Sequence, residues 1–128
     1  MGVAFLGAEE LARLLPMDAA IDALEAAFGA EALPEAPLRS NLDTPNGSLL
    51  LMPASGPQGV GVKLVTLTPS NPERGLPFIH AAYVLFEPGT QALRAVMDGA
   101  YLTQLRTGAV SGLATRHLAR PDTRRLVI

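Results

Sequence analysis

The sequence contains no cysteine. A chain without cysteine has no disulfide framework, no thiolate metal site and no thiol nucleophile. Its two histidines, His80 and His117, are too few for a histidine-rich metal cage, so we expect no bound metal. The lack of cysteine also agrees with a cytoplasmic location, which is our expectation.

The sequence also lacks a strong charge of either sign, because its formal net charge is −2 at pH 7. No cluster of Lys and Arg provides the basic patch that nucleic acids or anionic membranes require, so neither is an expected partner. The N-terminus lacks the basic and apolar regions of a signal peptide, and every apolar run is shorter than a membrane span. We therefore expect a soluble protein that is not exported.

The 128 residues are 48% apolar and 17% charged, which predicts one domain with a substantial core. Near the N-terminus, a short helix ends at Pro16 and a second helix places Ile21, Leu24 and Phe28 on one buried stripe. Short apolar runs separated by Pro, Asn-Gly and Gly then predict strands joined by turns, and a long helix spans about Gly99 to Ala119. Short turns favour antiparallel pairing, so we predict an α+β fold with helices packed on a largely antiparallel sheet.

The long helix carries a charge where an apolar residue is expected. A helical projection puts Arg106 near the centre of an apolar side formed by Leu102, Leu105, Ala109, Val110 and Leu113. A guanidinium keeps its charge in proteins, so on an inward face it needs a carboxylate, a phosphate or water. The pattern leaves open an internal ion pair, a side chain that extends to the surface, or a ligand site.

Lys63 poses the same question within the apolar run "GVGVKLVTL". In a strand it shares a face with Gly59 and Gly61, and these glycines leave room for a ligand to approach the backbone. A buried ammonium holds a carboxylate or acquires a lowered pKa, whereas a lysine on an edge strand simply points to water. Arg39 lies in a polar, proline-flanked stretch that by itself suggests a solvated surface position.

Three stretches together carry a resemblance to a known family: "GVKLVT", "NPERGLP" and "DGAYLTQLRTGAVSGLATRHLA", followed by a basic segment and an apolar run. From about Pro16 to Ile128 the sequence resembles the ornithine cyclodeaminase and mu-crystallin family. The resemblance implies a bilobed protein with a substrate-binding, dimerising first lobe and a Rossmann second lobe for NAD or NADP. Residues 1–120 would form the first lobe, and residues 121–128, with "RRLVI", would begin the first Rossmann strand just before the family's glycine-rich loop.

By the same resemblance, Arg39, Lys63 and Arg106 are the basic residues that bind the substrate carboxylate. Lys63 is also the implied catalytic residue, because it can polarise the imine or keto group, and Thr107 matches a position near the cofactor. Phe78 stands after "GLP" where many members have a small hydroxyl residue, which argues against contact with a polar substrate side chain such as that of ornithine.

The resemblance implies an NAD(P)-dependent oxidoreductase or deaminase that acts on a small amino or imino acid and forms a homodimer. Ornithine cyclodeaminase, alanine dehydrogenase and ketimine reductase are the family's alternatives. A non-catalytic crystallin-like binding protein and a stand-alone dimerisation module are the competing functions. We expect the 128-residue chain by itself to be inactive, because half of the cofactor site is missing from it.

Overall fold

The computed structural model describes residues 2–127 and has an α+β architecture, as predicted from the sequence. A six-stranded sheet carries three α-helices and one short 3-10 turn. In chain order the elements are β1 (Ala4–Leu6), α1 (Ala8–Leu14), α2 (Met17–Phe28), β2 (Ser40–Thr44), β3 (Gly47–Gly56), β4 (Gly59–Leu67), the 3-10 turn (Pro72–Arg74), β5 (Ile79–Phe86), β6 (Leu93–Asp98) and α3 (Gly99–Leu118).

The strand order across the sheet is β1-β6-β5-β4-β3-β2. Strands β2 to β6 pair antiparallel with their neighbours in sequence, as the short turns between them favour. Strand β1 instead pairs parallel with β6, because the chain returns to that edge only after the whole meander. The sheet is therefore antiparallel except at one edge.

The two faces of the sheet have different environments. One face, here called the helix face, includes Lys63, Val65, Tyr83 and Ala95, and α3 packs on it against β4, β5 and β6. Val65 and Ala95 are buried there. The opposite face, here called the open face, is also apolar, yet its side chains are only half-buried: Leu49, Leu51, Val60, Val62, Leu64, Val84, Phe86 and Val96.

Helix α3 begins directly where β6 ends. The Asp98 side chain accepts a hydrogen bond from the backbone N–H of Tyr101 at 2.9 Å and so caps the helix. Gly99 follows, and a Cβ at this position would lie 2.8–2.9 Å from backbone atoms of Ala81 and Ala82 in β5. Only glycine allows the helix to start this close to the strand.

Helices α2 and α3 pack closely along their length. Cβ atoms at Gly108 and Gly112 would meet the side chains of Met17 and Ile21. The small residues of α3 thus let α2 approach closely. The described core at this contact contains Ala20, Leu105 and Ala109, with Ile21 and Leu24 packed against it.

The end of α2 differs from its expected packing. Phe28 was placed on the buried stripe but is 62% exposed, because it is the last residue of α2 and lies beyond Glu25, which contacts the end of α3. At this end the two helices are joined by charge instead: the Arg116 guanidinium donates to Asp22 at 2.8 Å and to Glu25 at 2.6 Å. These bonds, with a contact from His117, lower the pKa of the Glu25 carboxyl.

After α3, residues 119–127 contain no strand. The prediction that residues 121–128 begin a Rossmann strand stays a prediction, since such a strand needs partner strands that these residues do not include; Ile128 itself lies outside the described residues. None of the helices within residues 2–127 is long and apolar enough to cross a membrane.

We predict that Gly99→Ala destabilises the chain, because the added methyl meets strand backbone that cannot rotate away. Overpacking of this kind lowers the free energy of unfolding by about 1–3 kcal/mol. The higher helix propensity of alanine offsets only a small part of this loss. Urea unfolding followed by circular dichroism measures the change. Gly89→Ala, in an exposed turn with ordinary contacts, is the control and is expected within about 0.5 kcal/mol of the original. Equal midpoints for the two variants would contradict the assigned contact.

Candidate functional site

Lys63 lies near the middle of β4, which has a strand on each side. The alternative of an edge-strand lysine pointing to water is therefore wrong. The side chain is half-buried on the helix face, and its Nζ donates a hydrogen bond to Thr103 Oγ1 of α3 at 3.3 Å. A strand and a helix distant in sequence thus meet at this ammonium.

Lys63 and Arg106 line the same cavity, which has a volume of about 260 Å³. Its other walls are apolar or uncharged: Ala36, Met52, Pro53, Ala54, Tyr83, Leu102 and Thr103. The two basic residues predicted from different parts of the sequence are therefore neighbours. The cavity lies between the helix face of the sheet and α3.

Arg106 occupies a different place on α3 from the one the helical projection gave it. It is exposed, whereas Leu105, Ala109 and Leu113 are the buried residues of this stretch. The projection assumed one covering surface, but α3 contacts α2 on one side and the sheet on another, so the apolar arc is divided. Arg106 lies at the division, where it lines both the Lys63 cavity and a smaller apolar cavity beside α2.

The cavity gathers positive charge without a carboxylate to balance it. No Asp or Glu is among the lining residues, and the ion pairs found in residues 2–127 involve Arg116, His117 and Arg120 instead. The internal ion pair considered for Arg106 is therefore absent from this part of the chain. Burial, and then the nearby Arg106 charge, lower the pKa of Lys63.

Arg39 lies just before β2, at the rim of this region. Ser40 pairs with Leu51, so Arg39 comes level with Met52, which in turn pairs with Lys63. Two strand spacings of about 4.8 Å separate the backbones of Arg39 and Lys63. Arg39 is exposed and does not line the cavity, so the structure brings together two of the three expected basic residues and leaves the third at the edge.

Thr107 follows Arg106 on an exposed part of α3, and its hydroxyl donates to the Thr103 carbonyl at 2.7 Å. With its proton engaged, this hydroxyl is left mainly as an acceptor. Phe78, the departure from the family pattern, does not line the Lys63 cavity. It precedes β5 by one residue and lies five residues, or about 17 Å, from Tyr83, so its bulk does not narrow this cavity.

The space directly over Gly61 is occupied by Tyr83, although Gly59 and Gly61 both line a second cavity, as expected for glycines that leave room beside the strand. A Cβ at Gly61 would collide with the Tyr83 hydroxyl, which means that the Tyr83 side chain lies across this glycine. Tyr83 and Ala54 also line this second, larger cavity of about 550 Å³ on the same face. Tyr83 therefore forms a wall between two cavities, and the absence of a side chain at Gly61 allows Tyr83 to pack there.

Sequence reasoning missed Thr103 and Tyr83. A signal for Thr103 was present, because it precedes Arg106 by three residues and so lies on a neighbouring part of the helix surface. No local pattern could identify Tyr83, since its place opposite Lys63 follows from the register of β4 with β5. A simpler signal was also overlooked: Lys63 is the single lysine in the sequence.

The helix N-termini within residues 2–127 do not offer a phosphate site. Asp98 caps α3, Glu10 accepts from the Gly7 N–H at the start of α1, and Asp18 accepts from the Ala19 N–H at the start of α2. A carboxylate at each position repels a second anion. Within residues 2–127 no three His, Asp or Glu side chains are grouped so that they could hold a metal ion.

Comparison with known proteins shows similarity over the whole chain. A sequence model of the ornithine cyclodeaminase/mu-crystallin family matches residues 2–128, and so extends further toward the N-terminus than the expected resemblance. The alanine dehydrogenase of Archaeoglobus fulgidus is 41% identical over 125 residues, which cover 96% of this chain and 39% of that protein. A Δ1-pyrroline-2-carboxylate reductase of Bacillus cereus is 40% identical over 96 residues, covering 72% of this chain and 30% of that protein.

Solved structures agree with this similarity. An archaeal alanine dehydrogenase dimer with bound NAD superposes with a TM-score of 0.85 at 40% identity, covering 96% of this chain and 39% of the other. The Δ1-pyrroline-2-carboxylate reductase of Thermococcus litoralis, in complex with NADH and L-proline, gives 0.80 at 36% identity, with 95% and 40% covered. The chain thus spans about two fifths of the length of these proteins.

We predict that Arg106→Gln raises the pKa of Lys63, because it removes a neighbouring positive charge that disfavours the ammonium. The chain is labelled with 13C-lysine, and the Cε resonance of its single lysine is followed against pH. Arg94→Gln is the matched control, since Arg94 lines the neighbouring cavity and does not affect Lys63. A Lys63 pKa that stays constant in Arg106→Gln, or moves equally in the control, would refute the proximity of the two cations.

Proposed function

The chain belongs to the ornithine cyclodeaminase/mu-crystallin family, and on that premise we propose that it is the substrate-binding part of an NAD(P)-dependent enzyme acting on a small amino or imino acid. Relatives include an alanine dehydrogenase and a Δ1-pyrroline-2-carboxylate reductase. Because the chain spans 39% and 30% of these two proteins, the activity is proposed for the complete gene product.

The observation that carries the proposal is the positive charge of the Lys63 cavity. Lys63 and Arg106 repel each other, and no carboxylate lines the cavity to offset that repulsion. A bound anion would turn the repulsion into two attractions. The α-carboxylate of an amino or imino acid is small enough for a cavity of about 260 Å³ and can accept from both side chains.

Each residue then has a distinct role. Arg106 binds the substrate carboxylate, and Arg39 strengthens the positive field from the rim. Lys63 contacts the carboxylate and donates a hydrogen bond to the imine nitrogen or keto oxygen at the α-carbon, which increases the electrophilic character of that carbon. Apolar residues, among them Met52 and Leu102, surround the remainder of the substrate and limit its contact with water.

The residues of this chain fit only the nicotinamide end of a nicotinamide dinucleotide. When bound, the nicotinamide would supply or accept a hydride at the substrate α-carbon. Thr107, with its hydroxyl proton already donated, could accept from the nicotinamide carboxamide. The pyrophosphate needs a free helix N-terminus, whereas the three here carry Asp98, Glu10 and Asp18. We therefore assign the phosphates to the expected second lobe, and the Rossmann assignment and the cytoplasmic location stay predictions.

We also propose that the open face of the sheet is covered by a second copy of this chain. Its apolar residues on β3, β4, β5 and β6 are not buried by any described element, and exposed apolar surface of this extent favours association. The archaeal alanine dehydrogenase similar to this chain is a dimer. A two-fold axis through the open face would leave the Lys63 cavity, on the opposite face, free for substrate.

For the complete gene product, we predict oxidation of NADH or NADPH in the presence of pyruvate with ammonium or of a cyclic imino acid, measured at 340 nm. Arg106→Ala should raise the KM for the carboxylate substrate roughly 10- to 150-fold, because it removes about 1.5–3 kcal/mol of charged hydrogen bonding. The 128-residue chain alone should show no turnover.

Arg94→Ala is the control for this experiment and should leave the KM near its original value. Binding of NAD(P)H without turnover on any amino or imino acid would favour the crystallin-like alternative, and loss of neither affinity nor rate in Arg106→Ala would refute the carboxylate site. Turnover by the 128-residue chain would refute the assignment of the phosphates to a second lobe.

We predict that Val84→Asp in the centre of the open face yields monomers, because a carboxylate buried there would have no partner. Sedimentation velocity measures the oligomeric state, and circular dichroism verifies that the variant remains folded. Gln104→Glu, on the exposed side of α3, should stay dimeric. A folded Val84→Asp dimer, or an unaltered chain that is monomeric at micromolar concentration, would contradict the proposed interface.

A further inference from the structure

We propose that Thr103 is a positioning residue that fixes the Lys63 ammonium at the cavity, a role that rests on the proposed function. Lys63 Nζ donates to Thr103 Oγ1 at 3.3 Å, and Thr103 Oγ1 donates to the Gly99 carbonyl at 2.7 Å. The two hydrogen bonds connect a strand side chain to the backbone of α3. Within residues 2–127, the other two basic residues expected to bind substrate, Arg39 and Arg106, have no comparable side-chain hydrogen bond.

The second hydrogen bond determines what the first can do. A threonine hydroxyl has one proton and two lone pairs, and here the proton is given to the helix carbonyl. The oxygen is therefore left as an acceptor, and the group that faces it is a donor with three protons. One Lys63 N–H is held by Thr103, and the other two stay available for a substrate carboxylate and for the atom bonded to its α-carbon.

The anchor is rigid because of the contact at the start of α3. Gly99 lies against the backbone of Ala81 and Ala82 in β5, and β5 is hydrogen-bonded to β4, which carries Lys63. The Gly99 carbonyl is thus fixed with respect to the strand that bears the ammonium. A short closed path runs from β4 through β5, Gly99 and Thr103 back to Lys63.

Lys63 needs this restraint because its other neighbours do not supply one. Arg106 on α3 is a second cation, Met52 on β3 is apolar, and Tyr83 on β5 is turned over Gly61. A flexible lysine stem with only these neighbours would turn its ammonium toward water, away from Arg106. Thr103 is the uncharged acceptor that holds the Lys63 ammonium at the cavity that Arg106 also lines.

The test compares Thr103→Val, which has nearly the same shape without the acceptor, with Thr103→Ser, which keeps the hydroxyl. Thr115→Val is the matched control, because Thr115 makes the same bond to the carbonyl four residues earlier but does not line the Lys63 cavity. The pKa of Lys63 is measured from its Cε resonance in the 128-residue chain. Steady-state kinetics of the complete gene product give the KM for the carboxylate substrate.

Thr103→Val should lower the pKa of Lys63, since the charged form loses its hydrogen-bond acceptor, and should raise the KM by about five- to tenfold. Thr103→Ser should restore both values, and Thr115→Val should change neither. A folded Thr103→Val variant with an unaltered Lys63 pKa overturns the anchor. A lowered pKa with unaltered kinetics overturns its role in positioning for substrate.

The titration needs no substrate, so it separates this inference from the proposed function. If the complete gene product shows no turnover and binds no carboxylate, the proposed function fails while the titration still decides whether Thr103 holds Lys63. If turnover is present and Thr103→Val leaves the pKa and the KM as they were, the inference fails and the proposed function stands.

Discussion

The contact between Gly99 and the backbone of β5 determines where α3 lies, and the site depends on that placement. A side chain at this position would lift the helix from the sheet by the width of a methyl group or more. The first turns of α3 carry Thr103 and Arg106, which face the cavity lined by Lys63. Because the helix follows β6 without a loop and is capped by Asp98, the chain has little freedom to compensate for a displacement here. The absence of a side chain at Gly99 therefore determines the distances between the residues of the site.

The charges at this site destabilise the folded chain when no ligand is bound. Two cations share a cavity without a carboxylate, and burial and Arg106 both work against the charge on Lys63. An acidic residue in place of Leu102 or Met52 would relieve the repulsion, but it would also occupy the position that a substrate carboxylate needs. Sites that violate the ordinary rules of packing and charge are commonly functional ones. The uncompensated charge here is better explained by a ligand than by folding, which supports the roles that the family resemblance implies for Lys63 and Arg106.

The sequence predicted local structure better than it predicted burial. Turn residues and apolar periodicity located every strand from β3 to β6 and all three helices, and the short connections favoured the antiparallel order. Burial depends on which elements meet, and periodicity gives no information about those contacts. Arg106 was placed on the inward face because one covering surface was assumed, and Phe28 was placed in the core because periodicity does not show where the contact of α2 with α3 ends. Tyr83 became visible only once the register of β4 with β5 was known, and the contact between Thr103 and Lys63 only once the position of α3 was known.

The two faces of the sheet have different roles, the helix face carrying the cavity and the open face the proposed dimer contact. This difference gives a physical reason for the architecture of the lobe. The antiparallel meander of β2 to β6 has two apolar faces to cover, and the helices that contact the sheet, α1 and α3, lie on one of them. If a second copy covers the open face, the helix face keeps its cavity at the periphery of the dimer, where another lobe can reach it. The carboxylates at the helix N-termini within residues 2–127 fit the same scheme, since they disfavour phosphate at these positions. The substrate and the dinucleotide phosphates would then be held by separate parts of the protein, with the reacting carbon between them.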